Sequence, residues 1–433
     1  MQMKKLNGVH LSHDKRTQEC ATANFPLPKQ VIVPMSQSMG APCNCLVKAG
    51  DTVFVGQKIG DTDAFMSVPI HSPVSGTVNA VTDYLLPGGN TCKAAVIDTD
   101  GEQTPDESVK APVITDRKSF IAAIRESGLA GLGGAGFPAH VKMGFDPSKT
   151  PIDTLVINAA ECEPFITSDY RQMIEAPDDV LDGIALVQKW LDIPNCKICI
   201  ESNKPEAIWL LKQKTADNNA VEVVTLPSTY PQGAEKVIIF SATGRIVEEG
   251  ELPANQGVMV MNVSSAAFVS TYCKTGMPLV AKRLTLDGDA ITENNGNYIV
   301  PIGTRLSELL EFGGAENPKK VLYGGPMMGF PVYDTDQPVL KTTNAVLAFN
   351  TVKEEKESAC IRCGNCIKVC PMNLMPNLLL RAYKEKDVAA LQELKVSLCM
   401  NCGCCSYICP AHKPLAESNQ LAKGLLPRPA PKK

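Results

Sequence analysis

Eight cysteines near the C-terminus repeat one spacing twice. In each run two residues separate the first and second cysteines, two separate the second and third, three separate the third and fourth, and a proline follows. The runs consist of Cys360, Cys363, Cys366 and Cys370, and of Cys399, Cys402, Cys405 and Cys409. Thiolates at this spacing bind paired [4Fe–4S] clusters. The sequence therefore predicts two such clusters and electron transfer through them.

The fourth cysteine of each run is predicted to ligate the cluster of the other run, as this spacing does in two-cluster proteins. The first cluster is then assigned to Cys360, Cys363, Cys366 and Cys409, and the second to Cys399, Cys402, Cys405 and Cys370. Two structural zinc sites are the alternative, although zinc sites usually use two separate CxxC pairs. Cys404 breaks neither spacing, so it is interpreted as a bystander that competes at most with Cys405.

A glycine-dense segment, SGLAGLGGAGFPAHVKM at 127–143, is the second candidate for chemistry. It follows a predicted helix, RKSFIAAIRES, capped by Thr115 or Asp116, whereas a Rossmann loop follows a strand and opens a helix. Backbone without side chains can lie against a planar ring or point amides at phosphate. Taken alone, the segment is either a cofactor loop or an ordinary tight connection.

Composition limits the classes of protein to consider. The 433 residues are 44% hydrophobic and 20% charged, which is typical of a globular chain, and the net charge of −4 argues against nucleic-acid binding. No uncharged apolar run is long enough to span a membrane, and the N-terminus lacks a leader pattern, so the chain is expected to be neither secreted nor membrane-spanning. Seventeen cysteines in a reducing compartment favour metal ligation over disulfides.

The elements that must position these residues predict a multidomain α/β protein. Short alternating strands predict a β hammerhead at 1–110, similar to lipoyl and biotinyl carriers but with Asp63-Ala64-Phe65-Met66 where a carrier has its lysine. Alternating strands and helices predict a parallel Rossmann-like α/β domain at 111–255. Strands with one helix predict a β-grasp (SLBB-like) module at 256–350, beginning with GVMVMNV. An α-helical dicluster domain at 351–425, with two helices between the cysteine runs, and a disordered tail at 426–433 complete the chain.

Several motifs together resemble a known family. GLGGAGFPAHVK, LVINAAECEP, YPQGAEK and MNV resemble the NADH- and FMN-binding flavoprotein subunit of respiratory complex I. The whole chain, including GVHLSHDK, IGDTDAFMSVPIHSPVSGTV, GGPMMG and the two cysteine runs, is similar to the RnfC family of Rnf ferredoxin:NAD oxidoreductase complexes. The order of the modules is more specific than any single motif.

The resemblance implies a set of cofactor-binding residues: Gly131, Gly133, Gly134, Gly136, Phe137, Lys142, Asn158, Glu161, Glu163, Gly233, Glu235 and Asn262. It implies that Gly133, Gly134 and Gly136 face the flavin, that Lys142 and Asn158 hold its polar edge and phosphate side, and that Phe137 lies against the nicotinamide nucleotide. The remaining residues, from Glu161 onward, would complete the pocket and orient NADH. The chain departs from the complex I pattern at Ala160, Cys162, Phe165 and Ala234. The full set of cofactor contacts in complex I therefore does not apply to this chain.

The resemblance also implies a function. Non-covalent FMN would take a hydride from NADH and pass single electrons to the two clusters, with no side-chain acid or nucleophile required. The expected partners are other Rnf subunits, especially an iron–sulfur subunit and membrane subunits, with ferredoxin an indirect partner and no nucleic acid. The expected location is peripheral, on the cytoplasmic side of the cell membrane. A soluble reductase of the same extended family and a non-enzymatic electron carrier are the alternatives.

Overall fold

The computed structural model describes residues 7–353 and 355–427. The chain begins with a segment that we call the N-terminal arm, residues 7–25, which contains the short strand β1 at Ala23–Asn24. This arm is not part of the hammerhead expected at 1–110. It crosses the α/β domain, where Val9 bridges Tyr230, and β1 then pairs in parallel with a strand of a later sheet. The difference arises because the arm forms hydrogen bonds with residues that lie 146 or more positions later in the chain.

Two small antiparallel sheets follow the arm and pack around one apolar core. Their strands are β2 (Gln30–Pro34), β3 (Asn44–Cys45), β4 (Thr52–Val53), β5 (Lys58–Asp61), β6 (Ile70–His71), β7 (Gly76–Leu85) and β8 (Thr91–Thr99). One sheet has the order β2-β8-β7-β4 and the other the order β3-β5-β6. The buried side chains alternate along β7 and β8, as the half-exposed strands of such a domain require.

The third unit is a four-stranded parallel sheet with helices on both faces. Its elements are α1 (Arg117–Glu126), α2 (Ala139–Met143), β9 (Thr154–Ala159), α3 (Ser168–Glu175), α4 (Pro177–Leu191), β10 (Asn195–Glu201), α5 (Pro205–Lys214), β11 (Val221–Leu226), α6 (Glu235–Thr243), β12 (Val258–Asn262) and α7 (Val263–Thr275), with a 3-10 turn at Pro253–Gln256. Asp116 caps α1 by accepting a hydrogen bond from Ser119 N at 2.7 Å, as the sequence indicates. The predicted parallel α/β sheet is confirmed.

The segment GVMVMNV was expected to open the β-grasp-like module, and that expectation is wrong. Strand β12 instead pairs in parallel with β9, so it is the fourth strand of the α/β sheet. Helix α7 then packs on α4, where Gly183 lies so close to the backbone of Ala266 that a Cβ would stand 1.8 Å from its oxygen. The α/β domain therefore continues to the end of α7.

A six-stranded mixed sheet follows. Its strands are β13 (Ala281–Asp287), β14 (Gly296–Pro301), β15 (Lys320–Tyr323), β16 (Phe330–Pro331) and β17 (Ala345–Phe349), and helix α8 covers Leu306–Phe312. The order is β1-β14-β13-β17-β15-β16, so the N-terminal arm supplies one edge. Leu284, Leu286 and Val346 of the sheet pack against Leu309 and Leu310 of the helix to form its core.

The C-terminal part is helical, and its two halves share one backbone conformation. Its helices are α9 (Asn365–Lys368), α10 (Pro376–Glu385), α11 (Val388–Glu393), α12 (Cys404–Tyr407) and α13 (Leu415–Lys423), with a 3-10 turn at Val396–Leu398. Gly364 and Gly403 have φ values of +76° and +79°, and Arg362 and Asn401 have values of +59° and +58°. The two helices predicted between the cysteine runs, α10 and α11, are confirmed.

The end of the chain differs in part from the expected disordered tail at 426–433. Leu426 packs against the helical core, whereas residues 428–433 lie outside the described residues. Over the described ranges, no helix has the length and apolar character needed to cross a bilayer.

Candidate functional site

The crevice that brings the predicted residues together lies at the carboxyl ends of β9 and β12. Strands β10 and β11 follow on one side of β9, whereas β12 pairs on its other side, so the strand order reverses between β9 and β12. Ligands of open parallel sheets bind at such a reversal, beyond the carboxyl ends of the strands. Asn158 near the end of β9 and Asn262 at the end of β12 are direct partners in the register. Both predicted residues therefore stand at the position where a ligand is expected.

Two further segments close one side of this crevice. The Asn158 side-chain amide donates to the carbonyl of Gly233 at 2.7 Å, which ties the YPQGAEK loop to β9. Lys142 on α2 reaches across, donating to the Glu235 carboxylate at 3.1 Å and to the Val260 carbonyl at 2.9 Å. The structure thus brings these four predicted residues into one connected network.

The glycine loop covers the crevice. It closes on itself through the Gly131 amide, which donates to the Phe137 carbonyl at 2.9 Å. A Cβ on Gly133 would lie 3.3 Å from the Cβ of Asn262, whereas a Cβ on Gly134, at φ +111°, would meet nothing within 4 Å. The loop therefore approaches the strand end closely at one glycine and leaves open space at the next. This arrangement fits a planar ring lying against side-chain-free backbone.

Asn262 also fixes the position of the helix behind the loop. Its Oδ1 accepts from the Ser265 amide at 3.2 Å and so caps α7, while its Nδ2 donates to Asp169 Oδ2 at 2.7 Å. Ser265 in turn accepts at Oγ from the Leu132 amide at 3.0 Å. The capping asparagine, the helix and the glycine loop are thereby held as one unit.

The first predicted acidic residue, Glu161, is bound to a helix N-terminus. Its carboxylate accepts from the amides of Asp169 at 2.6 Å and Tyr170 at 3.2 Å, where backbone N–H groups of α3 have no intrahelical partner. Burial raises the pKa of Glu161 and lowers the pKa of the neighbouring Lys15 ammonium, because each charge loses water. The opposite charges of Glu161 and Lys15 counteract both shifts.

The second predicted acidic residue, Glu163, holds the GGPMMG loop. Its two carboxylate oxygens accept from the amides of Met327 at 3.0 Å and Met328 at 2.8 Å. Burial raises the pKa of Glu163, and the two amides oppose that rise. The structure thus occupies both acidic side chains with backbone amides rather than leaving them free at the crevice.

The cysteines line two separate cavities in the helical part. One is lined by Cys360, Cys363, Cys366 and Cys409, and the other by Cys370, Cys399, Cys402 and Cys405 together with Cys404. These groupings match the crossed assignment, in which each run sends its fourth thiol to the other cluster. In the described ranges, no three His, Cys, Asp or Glu side chains converge on a single-ion site, as ligands about 2.3 Å from one zinc ion would. The donor set, with four thiols of the two runs around each cavity, fits a [4Fe–4S] cluster.

Tyr230 joins the second cavity to the crevice. Its hydroxyl donates to the Cys402 carbonyl at 2.7 Å, and its own carbonyl lies 3.8 Å from the Cys404 thiol. Cys162, on the acidic loop, belongs to the same apolar cluster and lies against Gly233. A continuous packed layer thus runs from the crevice to the second cavity, whereas Cys360 in the first cavity is exposed to solvent.

Comparisons with known proteins agree with this geometry. Residues 124–271 match the family model of the Nuo51 FMN-binding domain, residues 3–102 that of the RnfC barrel sandwich hybrid domain, and residues 353–410 that of the 4Fe-4S dicluster domain. The chain is 42% identical to its counterpart in the proton-translocating ferredoxin:NAD(+) oxidoreductase complex of Clostridium ljungdahlii, over 86% of this chain and 82% of that protein. It is 40% identical to the counterpart in the Na(+)-translocating complex of Acetobacterium woodii, over 88% and 87% of the two chains. The chain belongs to the RnfC family.

Membership of the RnfC family agrees with the position of β12. The match to the FMN-binding domain extends to residue 271, within α7, which is beyond the boundary expected at 255 and includes all of β12. This RnfC-family chain therefore has an FMN-binding domain built on the whole parallel sheet, an N-terminal barrel sandwich domain and a dicluster domain.

Sequence reasoning assigned no role to several residues that the structure places at the site of this RnfC-family chain. Lys15 donates to three carbonyls of the acidic loop, Tyr230 joins the crevice to a cysteine cavity, and Asp169 holds Asn262. Lys15 lies in the GVHLSHDK motif and Tyr230 precedes the PQGAEK segment, so both stand in segments that carry the family resemblance. Their contacts are long-range and have no local sequence signal.

Proposed function

We propose that this chain is the peripheral NADH-oxidising or NAD-reducing subunit of a membrane-bound, ion-translocating ferredoxin:NAD oxidoreductase complex. The observation that carries this proposal is the packed layer between the switch-point crevice and the second cysteine cavity. FMN, when bound, accepts a hydride from NADH and releases its electrons one at a time, as [4Fe–4S] clusters require. The residues of this chain bind, orient and connect these groups.

The residues of the crevice divide into two roles in this proposal. Gly134 leaves open space for the flavin ring beside the close approach at Gly133, and Lys142 offers a cation at its polar edge. Gly136 instead packs against Thr342, and its carbonyl accepts from the Met39 amide, so it anchors the loop to the N-terminal barrel. Asn158, Gly233, Glu235 and Asn262 keep the opposite wall in place, with Gly131 and Phe137 closing the loop. Because Glu161 and Glu163 bind backbone amides, we propose that they shape the nucleotide side of the pocket rather than contact NADH.

We propose that the two clusters act in a fixed order. The cavity lined by Cys399, Cys402, Cys405 and Cys370 packs against Tyr230 and the crevice, so it receives electrons first. The cavity lined by Cys360, Cys363, Cys366 and Cys409 has two exposed cysteines, Cys360 and Cys363, and so serves as the exit. An iron–sulfur subunit would dock at this exposed face, between the chain and the membrane subunits.

The proposal includes finer points of architecture and location. The mixed sheet and α8 form the SLBB-like β-grasp module, and the two small sheets form the hammerhead. We place the divisions near residues 110, 276, 350 and 425, with the N-terminal arm lying across the second and third units. The chain would sit on the cytoplasmic side of the membrane through contacts with partner subunits, with ferredoxin reached indirectly.

Cofactor analysis of the anaerobically purified chain tests the proposal. It should contain about eight iron and eight sulfide per chain, as two [4Fe–4S] clusters require, and acid should release FMN into solution. NADH should reduce the flavin and then both clusters. A preparation that holds zinc instead of iron, or that NADH does not reduce, would contradict the proposal.

Two matched variants test the order of the clusters. Cys363→Ala should leave flavin and second-cluster reduction by NADH intact while removing the first cluster from the electron paramagnetic resonance spectrum. Cys402→Ala should block reduction of both clusters at the first transfer. The reverse pattern would show that the exposed cavity is the entry point.

A further inference from the structure

Four buried or partly buried lysines surround the crevice, and their ammonium groups donate to backbone carbonyls of its two loops. They are Lys15, Lys204, Lys282 and Lys341. Lys204, Lys282 and Lys341 are almost completely buried, and Lys15 is partly buried. Burying an ammonium group is costly unless all its donors are satisfied, so such a set calls for an explanation.

Lys15 and Lys204 hold the acidic loop. The Lys15 ammonium donates to the carbonyls of Glu161 at 3.0 Å, Glu163 at 2.8 Å and Ile166 at 2.5 Å, which satisfies all three of its donors. Lys204 donates to the Ala160 carbonyl at 2.6 Å. Lys15 thus organises the loop by binding three carbonyl oxygens within six residues of backbone.

Lys282 and Lys341 hold the glycine loop. The Lys282 ammonium donates to the Leu132 carbonyl at 2.9 Å, directly before Gly133. The Lys341 ammonium donates to the Gly128 and Pro69 carbonyls, both at 2.7 Å, and so joins the start of the loop to the N-terminal barrel. Each loop is therefore fixed by cations that come from distant parts of the chain.

The acidic loop has a conformation that needs such support. Glu161 and Phe165 have φ values of +46° and +68°, in the left-handed region that residues with side chains rarely occupy. Conformations of this kind persist only when surrounding contacts hold them. Lys15 binds the carbonyl of Glu161 itself and that of Ile166 beside Phe165, so its contacts fall at both strained positions.

We propose that Lys15 and Lys282 are positioning residues of the cofactor site, each acting through one loop. Lys15 sets the acidic loop on the nucleotide side, and Lys282 sets the glycine loop on the flavin side. The assignment of sides rests on the proposed function. Neither lysine needs to touch a cofactor, because each acts by holding the backbone that does.

Lysine-to-methionine variants separate the two roles, since methionine keeps most of the stem and removes the ammonium group. Lys282→Met should weaken FMN binding at least tenfold when the flavin-free protein is titrated with FMN. Lys15→Met should keep FMN binding within threefold of wild type and raise the KM for NADH at least tenfold with little change in kcat. Lys274→Met is the matched control, because Lys274 lies exposed on α7 and pairs with Asp179 and Asp182, away from both loops. It should change neither quantity.

Chemical rescue distinguishes positioning from a general loss of structure. In Lys15→Ala, added ethylammonium should lower the raised KM for NADH part of the way to the wild-type value, because it brings N–H donors to the three carbonyls. Tetramethylammonium, which has no N–H, should not. The iron content of each variant should remain that of the wild type, since the lysines lie outside the cysteine cavities.

Several results would overturn the inference. If the wild-type protein binds FMN and oxidises NADH while the Lys15 and Lys282 variants match Lys274→Met, the lysines do not position the site. Loss of iron with unchanged FMN affinity and KM would show a general structural role instead. If the wild-type protein itself neither binds FMN nor oxidises NADH, the proposed function fails, and the inference that rests on it is overturned as well.

Discussion

Changing Glu163 to glutamine tests whether this carboxylate holds a loop of the protein or contacts the nucleotide. The carboxylate accepts from the Met327 and Met328 amides, and it fits so closely that a Cβ on Gly325 would lie 2.2 Å from its Oε2. Glutamine keeps one acceptor and turns an NH2 group toward the other amide. A hydrogen bond to a charged acceptor contributes about 1.5–3 kcal/mol, so losing one and weakening the other costs about 2–4 kcal/mol locally.

Hydrogen exchange at the GGPMMG loop measures this cost where it arises. Because each 1.36 kcal/mol corresponds to a factor of ten, the hydrogen-exchange protection factors of the Met327 and Met328 amides should fall by about 30-fold to several hundredfold. The KM for NADH should change less than twofold. Glu385→Gln is the control, since Glu385 forms an exposed pair with Arg381 on one helix face, worth about 0.3–0.5 kcal/mol.

The opposite outcome would refute the reasoning. If the two amides keep their protection while the KM for NADH rises tenfold or more, Glu163 contacts the nucleotide, as the resemblance to complex I implies. The hydrogen bonds to Met327 and Met328 would then be replaceable, and the acidic loop would have to open toward the crevice when NADH binds.

Three other changes test the packing and the site. Gly183→Ala should destabilise the α/β domain by about 1–3 kcal/mol in denaturant unfolding, because the new methyl group would push α7 away at Ala266. Gly134→Val should abolish FMN retention on gel filtration, since valine strains a backbone at φ +111° and fills the open space beside it. Burial raises the pKa of Glu175, but hydrogen bonds from the N-terminal arm and Arg283 outweigh that effect and lower this pKa to about 2. The stabilisation that ionised Glu175 gives the folded state is complete above about pH 4.5 and is lost as the pH falls toward 2. In urea unfolding, Glu175→Gln should therefore be less stable than the wild type by about 1–2 kcal/mol at pH 7, after allowance for solvent screening, and by less at pH 4.

The cysteine runs were predictable because their ligation pattern is mostly local. Three of the four thiols for each cluster lie within seven residues, and the left-handed positions at Gly364 and Gly403 follow from the same repeat. The spacing before the proline also predicts that the fourth cysteine of each run lines the cavity of the other run, as Cys409 and Cys370 do. Zinc remained an alternative at the sequence level, and the match to the 4Fe-4S dicluster domain favours iron–sulfur clusters.

The membership of β12 was not predictable, because a strand is assigned to a sheet by its partner. GVMVMNV has the apolar pattern of any buried strand, and it pairs with β9, which lies about a hundred residues earlier. The contacts of the Glu161 and Glu163 side chains were unpredictable for the same reason. Local sequence shows two carboxylates after a strand, whereas the amides that bind them belong to α3 and to the GGPMMG loop.

Two nearly identical cysteine runs acquire different surroundings through contacts that neither run encodes. Gly403 in the second run lies against the carbonyl of Met327, and Cys402 accepts from the Tyr230 hydroxyl, so the α/β domain and the mixed sheet cover that cavity. At the equivalent position in the first run, a Cβ on Gly364 would meet no described atom within 4 Å, and Cys363 is exposed. Because Glu163 fixes the same GGPMMG loop that touches Gly403, the acidic loop beside the crevice also fixes the surface on which the second cavity rests. In the proposed route, the rigidity of the nucleotide pocket and the distance of the first electron transfer therefore depend on one set of hydrogen bonds.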